Sequence, residues 1–213
     1  MARYSTEHKE ATRARILAAS EALMKDLGPE AATVEAVMRA AGLTVGGFYA
    51  HFASKEALAR ETLIVGVERS FARLMAGLDG ASPEEFARAL IRRYLAQLED
   101  PALAHACPLT LALPEIARSD ENYRAEFTAR TAALLAQFED RLPAVEGMAP
   151  RDVAMALMSA LAGGVGFARA AGSARARQHI AAVTAAAVER LLGLARASPP
   201  ARRERAGRRG DRG

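Results

Sequence analysis

Four side chains between residues 33 and 55 have the chemistry to hold phosphate groups. Thr33 and Thr44 stand where short helices are expected to begin, next to backbone N–H groups that attract anions. Lys55 is expected in the first turn of a further helix, where its ammonium adds to the positive end of the helix dipole. The hydroxyl of Tyr49 suits the same role, because phosphates of nucleic acids commonly bind hydroxyl and basic side chains. This stretch therefore indicates contact with a phosphate backbone.

Cys107 is a candidate for reactivity rather than for binding. It precedes Pro108, a residue suited to the first position of a helix, and a thiol at a helix N-terminus is unusually reactive. His105 could assist, although a lone cysteine is most often a small buried hydrophobe. These two residues cannot complete a tetrahedral metal site, and no third group orients the histidine. We therefore expect no metal, no cofactor and no enzymatic activity, while sensing by Cys107 stays an open alternative.

Two short helices around a tight turn, over residues 33–52, must position the phosphate ligands. Gly42 stands where a helix ends in the left-handed conformation, and Leu43 is a lone apolar residue that the turn should bury. Thr44 is expected to cap the second helix, and Ser54 to cap the next. This layout lets one helix enter the DNA major groove while the other braces it. The apolar positions of the first helix recur at helical spacing: Val34, Val37, Met38 and Ala41.

Several positions of different chemistry recur here at fixed spacing. They are Ala40-Ala41-Gly42-Leu43-Thr44, then Gly46, then Tyr49-Ala50-His51-Phe52, then Ser54-Lys55-Glu56-Ala57-Leu58. In these residues the chain resembles the DNA-binding domain of TetR-type transcriptional regulators, over roughly residues 10–62. Beyond residue 65 the resemblance rests on all-helical architecture and one Cys-Pro-Leu segment. Some regulators of this kind carry such a segment, and some sense oxidants or electrophiles through a cysteine.

The resemblance implies which residues would hold the backbone of a DNA operator. Each of them alone would be an ordinary cap or surface residue, but together at this spacing they favour DNA contact. Arg13 and Arg15 in the first helix are either solvated surface residues or further phosphate contacts. The implied phosphate contacts are Thr33, Thr44, Tyr49, His51 and Lys55.

Base reading by the recognition helix looks sparse. Gly46 and Gly47 each cost roughly 1 kcal/mol of helix stability relative to Ala, and close approach of the backbone to DNA would explain them. The family often has a small polar side chain where Gly47 stands, so one base contact is lost. Val45 could touch a thymine methyl group, whereas Phe48 and Phe52 are expected to be core. We therefore expect mainly phosphate and shape readout.

Composition fits a helical, intracellular protein. Of the 213 residues, 51% are hydrophobic, and the single Cys excludes an intramolecular disulfide. The first ten residues lack an apolar core, so no secretory signal is expected, and the uncharged run 153–168 is better explained as a buried helix than as a membrane span. The net charge of +4 comes entirely from residues 198–213, so the DNA interpretation must rest on the motif. We expect a cytoplasmic location.

The pattern predicts an all-α fold of about nine helices. We expect a three-helix DNA-binding domain at residues 1–55, a helical effector-binding and dimerisation domain at 56–197, and a basic disordered tail at 198–213. Residues 1–8 are expected to be an arm before a helix over 9–27, and a long helix over 54–78 should link the domains. Ser82-Pro83-Glu84-Glu85 is a strong helix start, and prolines at 101, 108 and 114 should break the segment 99–120.

Two further sets of residues would suit a regulator, although ordinary packing within one subunit could explain each of them. Small and apolar residues of the last two helices resemble the family's four-helix dimer interface, but could pack within one subunit: Ala160, Gly163, Gly164, Phe167, Ile180, Val183, Ala187 and Leu191. An apolar set with two hydroxyls suggests a hydrophobic or aromatic effector, but could be plain core: Phe71, Tyr94, Leu98, Cys107, Leu111, Tyr123 and Phe127.

These observations predict a homodimeric, ligand-responsive repressor. It would bind a near-palindromic operator in double-stranded DNA, because two recognition helices one DNA turn apart demand one. A small molecule or electrophile would release it. The alternative is a helical enzyme or ligand-binding module that uses Cys107 and His105 and has no DNA role.

Overall fold

A computed structural model describes residues 2–27, 32–98 and 108–194. These residues form eight α-helices and two 3₁₀ helices and contain no strand, which confirms the all-α prediction. The α-helices are α1 (Ala2–Leu27), α2 (Val34–Ala40), α3 (Lys55–Met75), α4 (Pro83–Ala96), α5 (Pro108–Ala117), α6 (Glu121–Leu135), α7 (Pro150–Ala170) and α8 (Ala174–Leu191). The 3₁₀ helices are Val45–Ala50, here called the recognition segment, and Glu139–Arg141.

Capping residues next to the first turn stabilise the N-terminal ends of most of these helices. At α4 the Ser82 N–H donates to Glu85 Oε2 at 2.9 Å, and the Glu85 N–H donates to Ser82 Oγ at 3.4 Å. This reciprocal capping box, with Pro83 at the first helical position, confirms the predicted start. Asp120 caps the start of α6, and its carboxylate accepts from the Tyr123 N–H at 3.0 Å.

Four predicted boundaries are wrong. Helix α1 begins at Ala2 rather than at residue 9, because residues 2–8 contain neither Pro nor Gly to stop a helix. Pro114 lies inside α5, whose buried Ala112 and Ile116 hold the helix together around it. Helix α3 ends at Met75, three residues earlier than predicted. The apolar spacing of Tyr123, Phe127, Leu134, Phe138 and Leu142 predicts one helix, but α6 ends at Leu135, and Phe138 and Leu142 flank the 3₁₀ helix.

Helix α3 contributes to three hydrophobic clusters, so it joins the two ends of the molecule. Leu58 packs in a first core with residues of α1, α2 and the recognition segment. Leu63 packs with α5 and α6, and Phe71 packs in the large core built by α4, α6, α7 and α8. The first core comprises Ile16, Leu17, Met24, Ala32, Val37, Met38, Ala41, Phe48, Phe52 and Leu58.

Polar contacts fix α3 on both sides. Towards α1, Arg13 pairs with Glu61, and Thr62 Oγ1 lies 3.0 Å from Ser20 Oγ in a buried hydrogen bond. Towards α6, the Tyr123 hydroxyl donates to the Arg60 carbonyl at 3.2 Å. Burial raises the pKa of Tyr123 to about 12, so the phenol is neutral and keeps its donor proton at neutral pH.

Helix α7 contains the uncharged run noted in the sequence. By length and composition it could cross a membrane, but half of its apolar window is buried inside the protein. Val153, Leu157, Leu161 and Val165 lie in the large core at helical spacing. This burial matches the predicted core helix.

Candidate nucleic-acid interface

Two hydrogen bonds close the turn between α2 and the recognition segment, and the backbone conformation of this turn favours glycine at residue 42. Gly42 has a φ of +68°, in the left-handed region. Its N–H donates to the Arg39 carbonyl at 3.0 Å, and the Leu43 N–H donates to the Met38 carbonyl at 2.8 Å. This pair of bonds is a Schellman motif, and the half-buried Leu43 supplies its apolar contact with the first core. The predicted helix end at Gly42 is confirmed.

Thr33 and Ser54 cap the helices on either side of the recognition segment. Thr33 Oγ1 accepts from the Ala36 N–H at 3.2 Å, and Ser54 Oγ accepts from the Ala57 N–H at 3.1 Å. A hydroxyl that accepts in a cap still has its own O–H to donate. Thr44 also precedes a helix in extended conformation, but its exposed side chain makes no cap hydrogen bond, so the predicted cap role is wrong.

The recognition segment is a 3₁₀ helix with one buried and one open face. Phe48 is fully buried and stacks on Phe52 with ring centroids 5.8 Å apart, which confirms that both aromatic residues are core. Tyr49 is 72% exposed and Val45 is 46% exposed. Two consecutive glycines disfavour an α-helix in this short segment, because glycine has the largest backbone entropy to lose. Val45 and Tyr49, the two side chains of the segment that are predicted to contact DNA, therefore both lie on the open face.

Neither Gly46 nor Gly47 is required by packing inside the protein. A Cβ atom built on Gly46 meets nothing within 4 Å, and one on Gly47 meets only Met38 Cε, at an ordinary 3.8 Å. Neither residue has a positive φ. The internal structure therefore gives no reason for glycine at either position.

The start of α3 combines a cation with a carboxylate. Lys55 is half-buried at the first helical position. The Glu56 carboxylate accepts hydrogen bonds from the Glu56 backbone N–H and from the Ser54 hydroxyl. These two bonds hold the pKa of the Glu56 carboxyl below its usual range. His51, just before α3, is half-buried, and its Nδ1 atom is buried with no hydrogen-bond partner in the described structure.

Arg13 and Arg15 are used inside this unit. The Arg13 guanidinium lies 4.6 Å from the centroid of the Phe52 ring and pairs with Glu61. Arg15 Nη2 donates to the Ala41 carbonyl at 2.6 Å, at the C-terminal end of α2 where a cation is favourable. Both therefore stabilise the packing of α1 against its neighbours.

Arg39 is a candidate that the sequence did not single out. It is exposed on the last turn of α2, and no hydrogen bond or ion pair of its side chain occurs within the described residues. A basic residue in the last turn of a helix is already favourable because of the helix dipole, so the sequence alone does not indicate a further role for Arg39. Its position one turn before Gly42 places it near the open face.

An exposed apolar face covers parts of α7 and α8. Phe167 is 75% exposed and Val183 is 54% exposed, and they border a groove of about 470 Å³. Gly163 opens onto it, with nothing within 4 Å of an added Cβ. Gly164 is different, because a Cβ there would lie 2.4 Å from Thr184 Oγ1 in the same subunit. Of the other residues in the predicted dimer set, Ala160 and Ala187 are exposed, and Ile180 and Leu191 are half-buried.

The residues predicted to bind an effector are divided between two clusters. Phe71 and Tyr94 lie in the large core, with Leu98 at its edge. Tyr123 and the half-buried Phe127 belong to the cluster between α3, α5 and α6. Cys107 and the side chain of Leu111 lie outside the described structure. Among the residues that can be placed, no group of three or more His, Cys, Asp or Glu could hold a metal ion.

Comparison with protein families identifies the N-terminal part of the chain. Residues 16–62 match the model of the bacterial regulatory proteins of the tetR family. The match spans α2, the Schellman turn, the recognition segment and the start of α3. A comparison with curated proteins finds no match.

Solved structures of similar fold cover most of the chain. A transcriptional regulator from Rhodococcus sp. Rha1 has a TM-score of 0.69 at 20% identity, covering 88% of this chain and 99% of its own. A TetR transcriptional regulator from Chloroflexus aurantiacus has a TM-score of 0.62 at 23% identity, covering 87% and 98%. The reduced form of NemR from E. coli has a TM-score of 0.64 at 21% identity, covering 82% and 95%. At these identities the likeness establishes the fold.

Proposed function

We propose that the protein is a DNA-binding repressor, because residues 16–62 match the model of the tetR family and the fold is similar to that of solved TetR regulators. The observation that carries the proposal is the open face of the recognition segment. Its two glycines are not required by packing inside the protein, and its exposed tyrosine and valine lie in the same short helix as the buried Phe48. A bare backbone next to a buried aromatic anchor suits close approach to DNA.

Phosphate contacts would surround this face. The hydroxyls of Thr33, Thr44 and Tyr49 each have an O–H to donate, and Lys55 supplies positive charge at the start of α3. Arg39 adds a second cation on the opposite side of the turn. His51 would contribute through the part of its ring that is not buried. Val45, exposed at the tip, would touch the edge of a base.

A homodimer would present two such faces to one duplex. The exposed apolar face of α7 and α8 is the surface we assign to dimerisation, because a patch of this kind on a monomer favours association. Residues 1–55 would then contact the DNA, and residues 56–197 would dimerise and bind the effector. Half-sites one helical turn apart would be arranged as a near-palindrome.

The effector would act through α3, which is anchored in all three hydrophobic clusters. An apolar or aromatic ligand bound among Phe71, Tyr94, Tyr123 and Phe127 would displace α3 and change the spacing of the two recognition segments. Operator binding would weaken effector binding by the same factor, since coupling between two sites is reciprocal.

The experiment is a gel-shift titration with DNA from upstream of the protein's own gene, at several salt concentrations. Lys55→Ala should weaken binding to every sequence and lower the salt slope by about one. Arg190→Ala removes the same charge from the last turn of α8 and is the matched control. Equal salt slopes for the wild type and Lys55→Ala would contradict this docking, and no binding at low salt would remove the DNA role altogether.

A further inference from the structure

Helices α4 and α8 pack against each other, with the start of α4 near the end of α8. Near the start of α4, Arg88 Nη1 lies 3.5 Å from Glu189 Oε1, near the end of α8. Towards the end of α4 and the start of α8 the helices separate around a cleft of about 650 Å³. A cleft of this volume is in the range of sites that hold small molecules.

The walls of the cleft are amphiphilic. Arg92 and Leu95 on α4 are three residues apart and so share a face. On α8, Arg177 and Gln178 stand at the mouth, one turn before the small residues Ala181 and Ala182. Leu95 belongs to the large core, so the apolar floor continues the protein interior.

The two arginines of the cleft are available to a ligand. Neither Arg92 nor Arg177 makes a hydrogen bond or an ion pair within the described residues, and none of the described residues that line the cleft is acidic. By contrast Arg88, one turn before Arg92 on the same helix, is paired with Glu189. The first turn of α8 also contains no acidic residue, so the positive end of its dipole is not offset there. The described residues that line the cleft therefore carry two positive charges and no negative charge.

We propose that this cleft binds an amphiphilic organic carboxylate. The carboxylate would accept hydrogen bonds from the Arg92 and Arg177 guanidinium groups and from the Gln178 amide, and its hydrocarbon part would lie along Leu95 and Ala181. The site is separate from the apolar set among Phe71, Tyr94, Tyr123 and Phe127. It also faces away from the exposed surface assigned to dimerisation, because Ile180 and Val183 project from the other side of α8.

Isothermal titration of the DNA-free protein with sodium decanoate tests the proposal. Decanol keeps the chain without the charge, and acetate keeps the charge without the chain. Decanoate should bind saturably with one site per subunit, and both simpler probes should bind at least about tenfold more weakly, because charged hydrogen bonds and chain burial each contribute more than 1.4 kcal/mol. Equal affinity for decanol and decanoate would overturn the role of the arginines.

Variants locate the binding. The double substitution Arg92→Gln and Arg177→Gln should weaken decanoate binding at least tenfold, and Arg175→Gln, an exposed neighbour that does not line the cleft, should leave it unchanged. Ala182→Phe places a ring at an exposed position in the cleft and should abolish binding without unfolding the protein. Binding that survives Ala182→Phe, or that weakens equally with Arg175→Gln, would overturn the site. No DNA is present, so the outcome is independent of the proposed repressor role.

Discussion

The recognition segment and helix α7 both carry neighbouring glycines, but for different physical reasons. In the recognition segment neither Gly46 nor Gly47 is crowded by the protein itself. In α7, Gly164 is crowded by Thr184 of the adjacent helix, whereas Gly163 faces open space. Packing within the subunit therefore requires one glycine of the four and does not require the other three.

This difference separates two uses of small residues that look alike in a sequence. A glycine forced by a close neighbour stabilises the subunit itself, because two helices cannot approach so closely with a Cβ between them. A glycine with no neighbour loses stability with no internal compensation, which favours a role in contact with something outside the subunit. Substitutions that add one methyl group can distinguish the two cases.

The largest effect is expected on the open side of α7. Phe167→Glu would bury an unpaired carboxylate in the proposed dimer, at a cost of about 3 kcal/mol or more in the free energy of association. The dimer dissociation constant, measured by analytical ultracentrifugation, should rise at least about a hundredfold. Leu113→Glu makes the same change at an exposed residue of α5 and should leave the dimer intact. A Phe167→Glu protein that remains dimeric would show that this face is not the interface.

The next effect is expected at the crowded glycine. Gly164→Ala should lower the free energy of unfolding by about 2 kcal/mol, because Thr184 must move or α7 and α8 must separate. Gly163→Ala adds the same methyl group where nothing lies within 4 Å, and should raise that free energy by about 0.5 kcal/mol. Urea unfolding of the monomer, with both variants made in the Phe167→Glu protein in which the proposed dimer is dissociated, measures both. Similar values for the two variants would remove the distinction between the glycines.

A third substitution tests the turn that supports the recognition segment. Gly42→Ala forces a side chain into the left-handed region and should cost about 1–2 kcal/mol. Gly42→Asn should cost less, since asparagine tolerates this conformation better. Thermal unfolding compares the two. If alanine and asparagine are equally tolerated, then the left-handed turn is not what requires glycine.

The smallest effect on stability is expected at Gly46, where the same substitution should weaken binding to DNA. Gly46→Ala should raise the free energy of unfolding by about 0.5 kcal/mol, because the unfolded chain loses freedom and the folded chain has room for the methyl group. Affinity for operator DNA should nevertheless fall, as measured by gel shift. An unchanged affinity would mean that DNA does not approach this part of the backbone.

The features that depend on residues close together in the sequence were predicted correctly. The capping box at Ser82, the left-handed turn at Gly42 and the burial of Phe48 all follow from residue type and helical spacing, and all are confirmed. Each depends on neighbours within a few residues along the chain. Errors occurred where a local signal was overruled, as at Pro114, which lies inside a helix held by long-range burial.

Candidate sites were harder to predict because they depend on which helices meet. Arg13 and Arg15 are candidates for phosphate contact in the sequence, and only the packing of α1 shows them engaged by Glu61 and the Ala41 carbonyl. The cleft between α4 and α8 has no sequence signature, since its two arginines lie far apart along the chain and are brought together by the crossing of the helices.

The sequence by itself determined the helical class, most helix starts, and the turn and buried aromatic residues of the motif in the first 62 residues, because these depend on dihedral preference and periodic burial. The tertiary structure alone decided which small residues are crowded and which are bare, and which cations are paired. Crowding and pairing are distances between residues remote in the chain, and no local preference determines such distances.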